Sequence, residues 1–317
     1  MAASRLLEET NVKKRHSWRG VFTIPCTPFT ETGALDLDSL RSQIEFCVEA
    51  GAHGIVTPVI ASEVWTLTGE ERLSIAEETV QIVAGRIPVV IGVSTGSIQC
   101  SLPLTYHATE IGANAIIATP PIGPASTLPA IYDFYSKLSD ATPLPIFVQH
   151  IDAPYGMRMP VEFISRMVRE IPRVDWIKEE IVPPGPTIEA EIIQSGPKLK
   201  GVMGGIAGRF LLDEFRRGAC GTMPACEATD VHVQVWNALD AGNELLARQL
   251  FNRLLPLLNM ESRSFGVIKA VLKRRGIIAS DYMRQYAGSP LDRQDQIELD
   301  TILGDMKDLF RLAPPWS

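Results

Sequence analysis

The stretch Val174-Asp175-Trp176-Ile177-Lys178-Glu179-Glu180 is a short apolar run that ends in charged residues. Seven other runs share its length and apolar character, and a longer amphipathic stretch follows each of them. They are Gly20 to Pro25, Gly54 to Val59, Pro88 to Val93, Ala115 to Pro120, Pro145 to His150, Lys200 to Gly205 and Gly218 to Pro224. Near-continuous apolar strands that alternate with helices are typical of a parallel sheet covered by helices. Eight such units predict an α/β protein with a closed TIM (β/α)8 barrel.

An open, doubly wound sheet is the structural alternative. It is disfavoured because no Gly-x-Gly-x-x-Gly turn follows any of the predicted strands. After Thr229 the strand pattern stops, and the later segments have the apolar spacing of helices. We therefore predict a flexible N-terminal tail over 1–17, a barrel over 18–230, and a C-terminal helical extension packed on the barrel over 231–317.

The composition indicates an ordinary globular protein with a large core, since 45% of the 317 residues are hydrophobic and 21% are charged. The net charge of -7 argues against binding to nucleic acid or to an anionic membrane surface. The five cysteines are scattered and odd in number, which indicates neither a disulfide framework nor a zinc site. Without an apolar run of about 18 residues or a secretory signal, we expect no membrane span and a cytoplasmic location.

Lys178 is the candidate nucleophile. The chemistry of a barrel lies at the C-terminal ends of its strands, and Lys178 ends the predicted sixth strand. Partial burial disfavours the charged form of an amine, and a neutral amine attacks a ketone or an aldehyde to give a Schiff base. The alternative is a structural lysine whose ammonium group reaches solvent at a strand end.

Four motifs between Trp18 and Gly276 resemble the N-acetylneuraminate lyase and dihydrodipicolinate synthase superfamily. They are the opening Gly-Val-x-Thr-x-x-x-Thr-Pro-Phe at Gly20 to Phe29, the Leu67-Thr68-x-x-Glu71-Arg72 helix start, the Ile177-Lys178-Glu179 strand, and the Gly218-Ala-x-Gly221 turn. The resemblance implies that Lys178 condenses with the keto group of a 2-oxo acid. It also implies a homo-oligomer, a tetramer in this family.

The chain departs from this family at three places. The substrate-carboxylate loop after the second strand keeps a single hydroxyl, Ser62, so we expect Ser62 and the backbone amide of Ala61 to bind the carboxylate; the alternative for Ser62 is a helix cap. Gln149 stands where the family has the tyrosine that relays protons, and Pro121-Ile122 replaces a second tyrosine pair. The usual proton relay is therefore absent.

One branch of the family, the L-2-keto-3-deoxyarabonate dehydratases, resembles the chain at these same places. The resemblance covers Val148-Gln149 followed by Asp152-Ala153-Pro154, the Ser62-Glu63 pair, Glu180 two residues beyond the lysine, and the late stretch from Leu255 to Gly266. The seventh-strand loop from Gly204 to Gly208 differs from that branch. Because this loop touches the far end of the substrate in the family, the particular sugar acid stays open.

Dehydration of a 2-keto-3-deoxy acid requires loss of a proton from C3 and of the hydroxyl from C4. Glu180 shares strand parity with Lys178 and is the candidate acid or base, the alternative being a structural ion pair. Gln149 is expected to face the interior and to hydrogen-bond the substrate. Gly204 and Gly205 are expected to let the substrate approach the backbone, with a plain turn as the alternative.

We thus predict a Schiff-base hydro-lyase that acts on a 2-keto-3-deoxy sugar acid and gives a 2-oxo acid semialdehyde. An aldolase that releases pyruvate, a deaminase of a cyclic imino acid, and a non-catalytic barrel that binds 2-oxo acids are the alternatives. No metal-ligand spacing and no phosphate loop occurs in the sequence, so we expect neither a metal nor a cofactor.

Overall fold

A computed structural model describes residues 18–123, 126–284 and 290–313, so the predicted tail over 1–17 lies outside the described residues. Eight parallel strands close into a barrel, in which each strand pairs with its neighbours in chain order and the first with the eighth. This confirms the predicted barrel. The strands are β1 (Gly20–Thr23), β2 (Gly54–Thr57), β3 (Val89–Gly92), β4 (Ala115–Ala118), β5 (Ile146–His150), β6 (Val174–Glu179), β7 (Gly201–Gly204) and β8 (Gly221–Thr222).

One helix follows each strand, and its apolar face packs against the outside of the barrel. The eight helices are α1 (Leu37–Glu49), α2 (Gly69–Val83), α3 (Ile98–Glu110), α4 (Leu128–Ala141), α5 (Val161–Glu170), α6 (Pro184–Ser195), α7 (Leu211–Arg216) and α8 (Thr229–Asp240). Side-chain caps begin several of them: Thr68 caps α2 through the Glu71 amide, and the Glu71 carboxylate returns the bond to Thr68.

The barrel interior is a packed core and not a pore. Phe22, Val56, Phe147, Trp176 and Met203 are among the buried side chains that fill it. Trp18, which precedes β1, stacks on Trp176 with a centroid separation of 5.2 Å and so closes the N-terminal end. In the described part of the chain, the barrel interior is therefore open toward the C-terminal ends of the strands.

Three further helices form the C-terminal extension: α9 (Glu244–Glu261), α10 (Gly266–Arg274) and α11 (Arg293–Asp305). They share one apolar core with α8, which itself packs on β1 as the last helix of the ring. The ring of eight helices thus ends at Asp240, beyond the predicted barrel limit at 230. None of the helices in the described residues has the length and apolar character of a membrane span.

Candidate active site

Strands β5 and β6 carry the candidate site, because their register sets Gln149 beside Lys178. Side chains on a strand alternate between its two faces. Phe147 and Trp176 point into the barrel core, and two residues further along each strand the same face presents Gln149 and Lys178. Glu180 follows β6 on this face. The alternation therefore brings a lysine, a carboxylate and an amide together above the aromatic core.

The Glu180 carboxylate is the centre of this group. Its Oε2 lies 3.3 Å from Lys178 Nζ and accepts a 2.7 Å hydrogen bond from Gln149 Nε2. Lys178 is only 3% exposed, with its amine at the wall of the barrel mouth. The nearest acid to the amine is thus a group that can exchange protons with whatever is bound to the amine.

A backbone amide holds the other oxygen of Glu180. Ile206, in the loop after β7, donates its N–H to Glu180 Oε1 at 3.2 Å. The preceding Gly205 makes this approach possible, since a Cβ on Gly205 would lie 2.3 Å from Glu180 Cγ. Gly205 therefore lies against Glu180, where its missing side chain makes room for the carboxylate.

Gly204 does not face the site, contrary to the expectation from the sequence. A Cβ on Gly204 would lie 2.0 Å from Glu214 Oε2, and Glu214 belongs to the helix layer outside the barrel. The Gly204 carbonyl also pairs with the Met223 amide in the sheet. The absence of a side chain at Gly204 thus makes room for a buried glutamate on α7, not for a substrate.

Ser62 is buried, and its single hydroxyl proton is already used inside the protein. The hydroxyl donates to the Pro25 carbonyl at 2.7 Å and accepts from the Val59 amide at 3.3 Å. A carboxylate needs a donor, and a serine hydroxyl has only one proton to give. Ser62 therefore fastens a 3-10 turn, Ile60–Ser62, to the end of β1, which is close to the structural alternative considered for it.

The same turn does offer free donors. The backbone amides of Ile60 and Ala61 donate to no acceptor within the part of the chain that the structure describes, because they begin the 3-10 turn. Ile60 also lines a cleft of about 510 Å³, whose other walls come from the loops after β2, β3, β4 and β5 and from Phe265 of the C-terminal extension, and include Thr95, Pro120 and Tyr155. Two unpaired amides at the edge of a cleft suit an anionic group.

Comparisons with known proteins assign the chain to a family. The dihydrodipicolinate synthetase family model matches residues 17–305. The chain belongs to this family. An L-2-keto-3-deoxyarabonate dehydratase from Azospirillum brasilense is 32% identical over 272 residues, which cover 84% of the chain and 87% of that protein.

Other members of the dihydrodipicolinate synthetase family show the same relationship. A 4-hydroxy-tetrahydrodipicolinate synthase from Neisseria gonorrhoeae is 29% identical over 73% of the chain and 79% of its own length. The crystal structure of dihydrodipicolinate synthase from Rhodopseudomonas palustris superposes with a TM-score of 0.83 at 27% identity, covering 90% of this chain and 97% of that one. Membership of the dihydrodipicolinate synthetase family makes this chain a lyase.

A second polar group lies directly behind the site, on the outer face of β5 and β6. His150 Nδ1 lies 2.6 Å from Glu179 Oε2 and 3.7 Å from Glu191 Oε1, and all three side chains are buried. His150 alternates with Gln149 and Glu179 with Glu180, so both face the helix layer. His150 is therefore not placed to exchange protons with a substrate.

His150, Glu179 and Glu191 have donor atoms close enough together to hold a metal ion, but the hydrogen bonds argue otherwise. The Met159 amide donates to His150 Nε2 at 2.9 Å, which requires a lone pair there. Burial lowers the pKa of His150, but the hydrogen bonds and charges of Glu179 and Glu191 outweigh burial and raise the pKa to about 9. The contact with the Met159 amide leaves a ring proton on Nδ1, against Glu179 Oε2, where a metal would bind.

The sequence could not reveal two parts of this site. Nothing in the residue types of the β7 loop indicates that the Ile206 amide reaches Glu180, because this depends on the backbone path. Glu191 lies on α6 and meets His150 only in the folded protein. The sequence of α6 has a glutamate among apolar residues on its inner face, and this pattern could have indicated a buried polar partner.

Proposed function

We propose that this chain is a Schiff-base hydro-lyase that dehydrates a 2-keto-3-deoxy sugar acid resembling L-2-keto-3-deoxyarabonate. The observation that carries the proposal is the contact of Glu180 with both Lys178 Nζ and Gln149 Nε2. A carboxylate at this place supplies the proton transfer that the missing family tyrosine would have supplied. The dehydratase from Azospirillum brasilense supports the choice of reaction and of substrate class.

The reaction begins when Lys178 Nζ attacks the C2 keto group and water leaves, which gives an iminium ion. The iminium withdraws electrons and acidifies C3. Glu180 then takes a C3 proton to give an enamine, and the enamine expels the C4 hydroxyl, which leaves as water once it is protonated. The conjugated iminium then loses a proton from C5 and gains one at C3, which leaves an enol at C4 and C5. Hydrolysis of the iminium releases Lys178 and this enol, which becomes the 2-oxo acid semialdehyde.

We propose that the backbone amides of Ile60 and Ala61 bind the substrate carboxylate, because neither donates to an acceptor among the described residues and Ile60 lines the cleft. Gln149 has no ionisable group near neutral pH, so its role is to orient Glu180 and a substrate oxygen. Gly205 allows Glu180 to lie close to the backbone. None of these residues requires a metal or a cofactor for the steps described.

Reductive trapping tests the covalent step, and the chain contains a matched control. Borohydride with pyruvate should add mass to the peptide that holds Lys178. Lys269 is equally buried, but its Nζ lies 2.5 Å from Glu63 Oε1 and donates to the Tyr282 carbonyl, so it should stay unlabelled. Labelling at Lys269, or no labelling with any active 2-oxo acid, would remove the mechanism.

Product analysis separates the dehydratase from its alternatives. We expect a panel of 2-keto-3-deoxy pentonates and hexonates to give a 2-oxo acid semialdehyde. Pyruvate release would indicate the aldolase and ammonia release from a cyclic imino acid the deaminase. Thermal stabilisation by a 2-oxo acid without turnover would indicate a non-catalytic binding barrel.

We further propose a homotetramer in the cytoplasm, as the family resemblance implies. Trp65 and Ile122, which are 46% and 50% exposed, give the rim of the cleft an apolar surface that a second copy could cover. Cys26, Cys47, Cys220 and Cys226 are buried free thiols, which fits a reducing compartment. Mass photometry of the purified chain tests the assembly.

A further inference from the structure

The loop that presents the Ile206 amide to Glu180 has an uncommon backbone. Ile206 and Ala207 have φ values of 50° and 57°, in the left-handed region, and Gly208 follows with a φ of 78°. For a β-branched residue such as isoleucine this conformation is a genuine outlier. A strained segment persists only where its surroundings hold it in place.

His232, on α8, is the residue that holds this loop from the other side. Its Nε2 lies 3.1 Å from the Ala207 carbonyl oxygen, and its Nδ1 lies 3.1 Å from the Ala228 carbonyl oxygen. His232 is fully buried, and burial lowers the pKa of its imidazole. The ring is therefore neutral and has one N–H for two carbonyls.

The other hydrogen bonds of the two carbonyls indicate which ring nitrogen carries the proton. The Ala228 carbonyl already accepts from the backbone amides of Val231 and His232. The Ala207 carbonyl accepts no backbone amide from any residue of 18–123, 126–284 or 290–313. A buried acceptor is rarely left without a donor, so the proton belongs on Nε2 and His232 donates to Ala207.

We propose that His232 is a positioning residue for Glu180. Through Ala207 it fixes the strained turn, and the turn fixes the Ile206 amide that holds Glu180 Oε1 opposite Lys178. The inference rests on the proposed role of Glu180 as the base at C3. Without the bond from His232 the turn relaxes toward ordinary backbone angles, the Ile206 amide moves away, and the carboxylate loses one of its fixed contacts.

Two polar substitutions that differ in reach test this role. The side-chain amide of His232→Gln extends to about the position of Nε2 and can donate to Ala207, whereas that of His232→Asn ends near Nδ1 and cannot. The measured quantity is the exchange of pyruvate methyl protons in D₂O, followed by NMR, because it requires both the imine at Lys178 and the base. Borohydride trapping measures the imine alone.

We expect His232→Asn to trap pyruvate as the wild type does and to exchange its protons about 10-fold to 10²-fold more slowly, the scale of a misplaced catalytic group. His232→Gln should restore most of the rate. His53→Leu is the control, because it removes a half-buried imidazole that accepts from the Val21 amide at the closed end of the barrel. It should lower thermal stability without slowing exchange.

Each outcome bears on the inference. Equal exchange rates in His232→Asn, His232→Gln and the wild type overturn it, and so does equal slowing in both variants. Should His232→Asn fail to fold, His232→Leu gives the same comparison with an apolar side chain of similar volume. A wild-type enzyme that traps no pyruvate and exchanges none overturns the proposed function, and the role of His232 with it.

Discussion

Three separate segments contact the Glu180 carboxylate. They provide the Lys178 amine at the end of β6, the Gln149 amide on β5 and the Ile206 backbone amide after β7. A surface ion pair contributes little to stability and is free to move. Here the carboxylate is largely buried and each oxygen has its own donor. Such a group keeps one orientation while its neighbour forms and breaks a covalent bond.

Replacing Glu180 with glutamine should separate binding from proton transfer. Glu180→Gln keeps the size of the side chain but cannot ionise, so the variant should still trap substrate at Lys178 while dehydration falls by at least about 10²-fold. Glu179→Gln is the matched control on the outer face, and it should lower stability more than turnover. Turnover near wild type in Glu180→Gln would make Glu180 structural and Tyr155, at the cleft, the next candidate.

The structure predicts that Ser62 contributes to stability, whereas the sequence predicts that it binds the substrate carboxylate. Because its hydroxyl bonds both Pro25 and Val59, Ser62→Ala should lower the free energy of unfolding by about 1–3 kcal/mol, the cost of leaving buried polar groups unpaired. The KM for the substrate should change little. Urea unfolding and steady-state kinetics measure the two effects. A raised KM with unchanged stability would return Ser62 to carboxylate binding.

For single residues, the sequence predicted the side-chain orientations that follow from the alternation along a strand. Alternation on β5 and β6 was enough to place Gln149, Lys178 and Glu180 on one face, because a strand reverses its side chains at each residue. The sequence did not reveal the hydrogen-bond partners of the Ser62 hydroxyl. A hydroxyl bonds whichever carbonyl the fold brings near, and Pro25 comes from the segment after β1, 37 residues away in sequence.

The loop after β7 shows how one element serves two layers of the barrel. Gly204 faces α7 and leaves room for Glu214, while Gly205 faces the mouth and leaves room for Glu180. Burial raises the pKa of Glu214, behind the sheet, well above its ordinary value. The two consecutive glycines therefore make room for two different glutamate side chains, one on each face of the strand.

Alanine substitution at the two glycines should therefore affect two different properties, turnover at Gly205 and stability at Gly204. Gly205→Ala places a Cβ within 2.3 Å of Glu180 Cγ and should reduce turnover by about 10²-fold through displacement of the carboxylate, with the imine still trapped. Gly204→Ala is the matched control, since its Cβ meets Glu214 and should lower the unfolding midpoint instead. Equal kinetic losses in both variants would show that the loop responds as a whole and that the face makes no difference.

The sequence indicated a strand and a turn here but not their geometry. The paired glycines predict a close approach of substrate to the backbone, whereas the space beside Gly205 holds the Glu180 side chain and the space beside Gly204 holds Glu214. The left-handed angles fall on Ile206 and Ala207, residue types that rarely adopt them. Only the surrounding contacts, including the one from His232, account for that choice.

Buried charge pairs join the C-terminal helices to the barrel in addition to apolar packing, and the pair between Arg275 and Asp230 is one of them. Arg275, at the end of α10, donates to both oxygens of Asp230 on α8 at 3.1 and 2.9 Å, and it donates to the Glu227 carbonyl at 2.6 Å. Asp230 also accepts from the Arg311 amide in the last segment. Apolar periodicity predicted the helices of this extension. It could not predict this pair, whose members are 45 residues apart.

Removing Asp230 should therefore weaken the whole molecule and not the extension alone. Asp230→Ala leaves the Arg275 guanidinium buried without its carboxylate, which typically costs about 3–5 kcal/mol. Because α8 belongs to both the barrel ring and the core of the extension, urea unfolding should remain a single transition at a lower midpoint. Asp308→Ala is the control, since its pair with Arg253 is exposed and should contribute less than about 1 kcal/mol. Two separate transitions in Asp230→Ala would show that the extension folds as an independent unit, contrary to the prediction of an extension packed on the barrel.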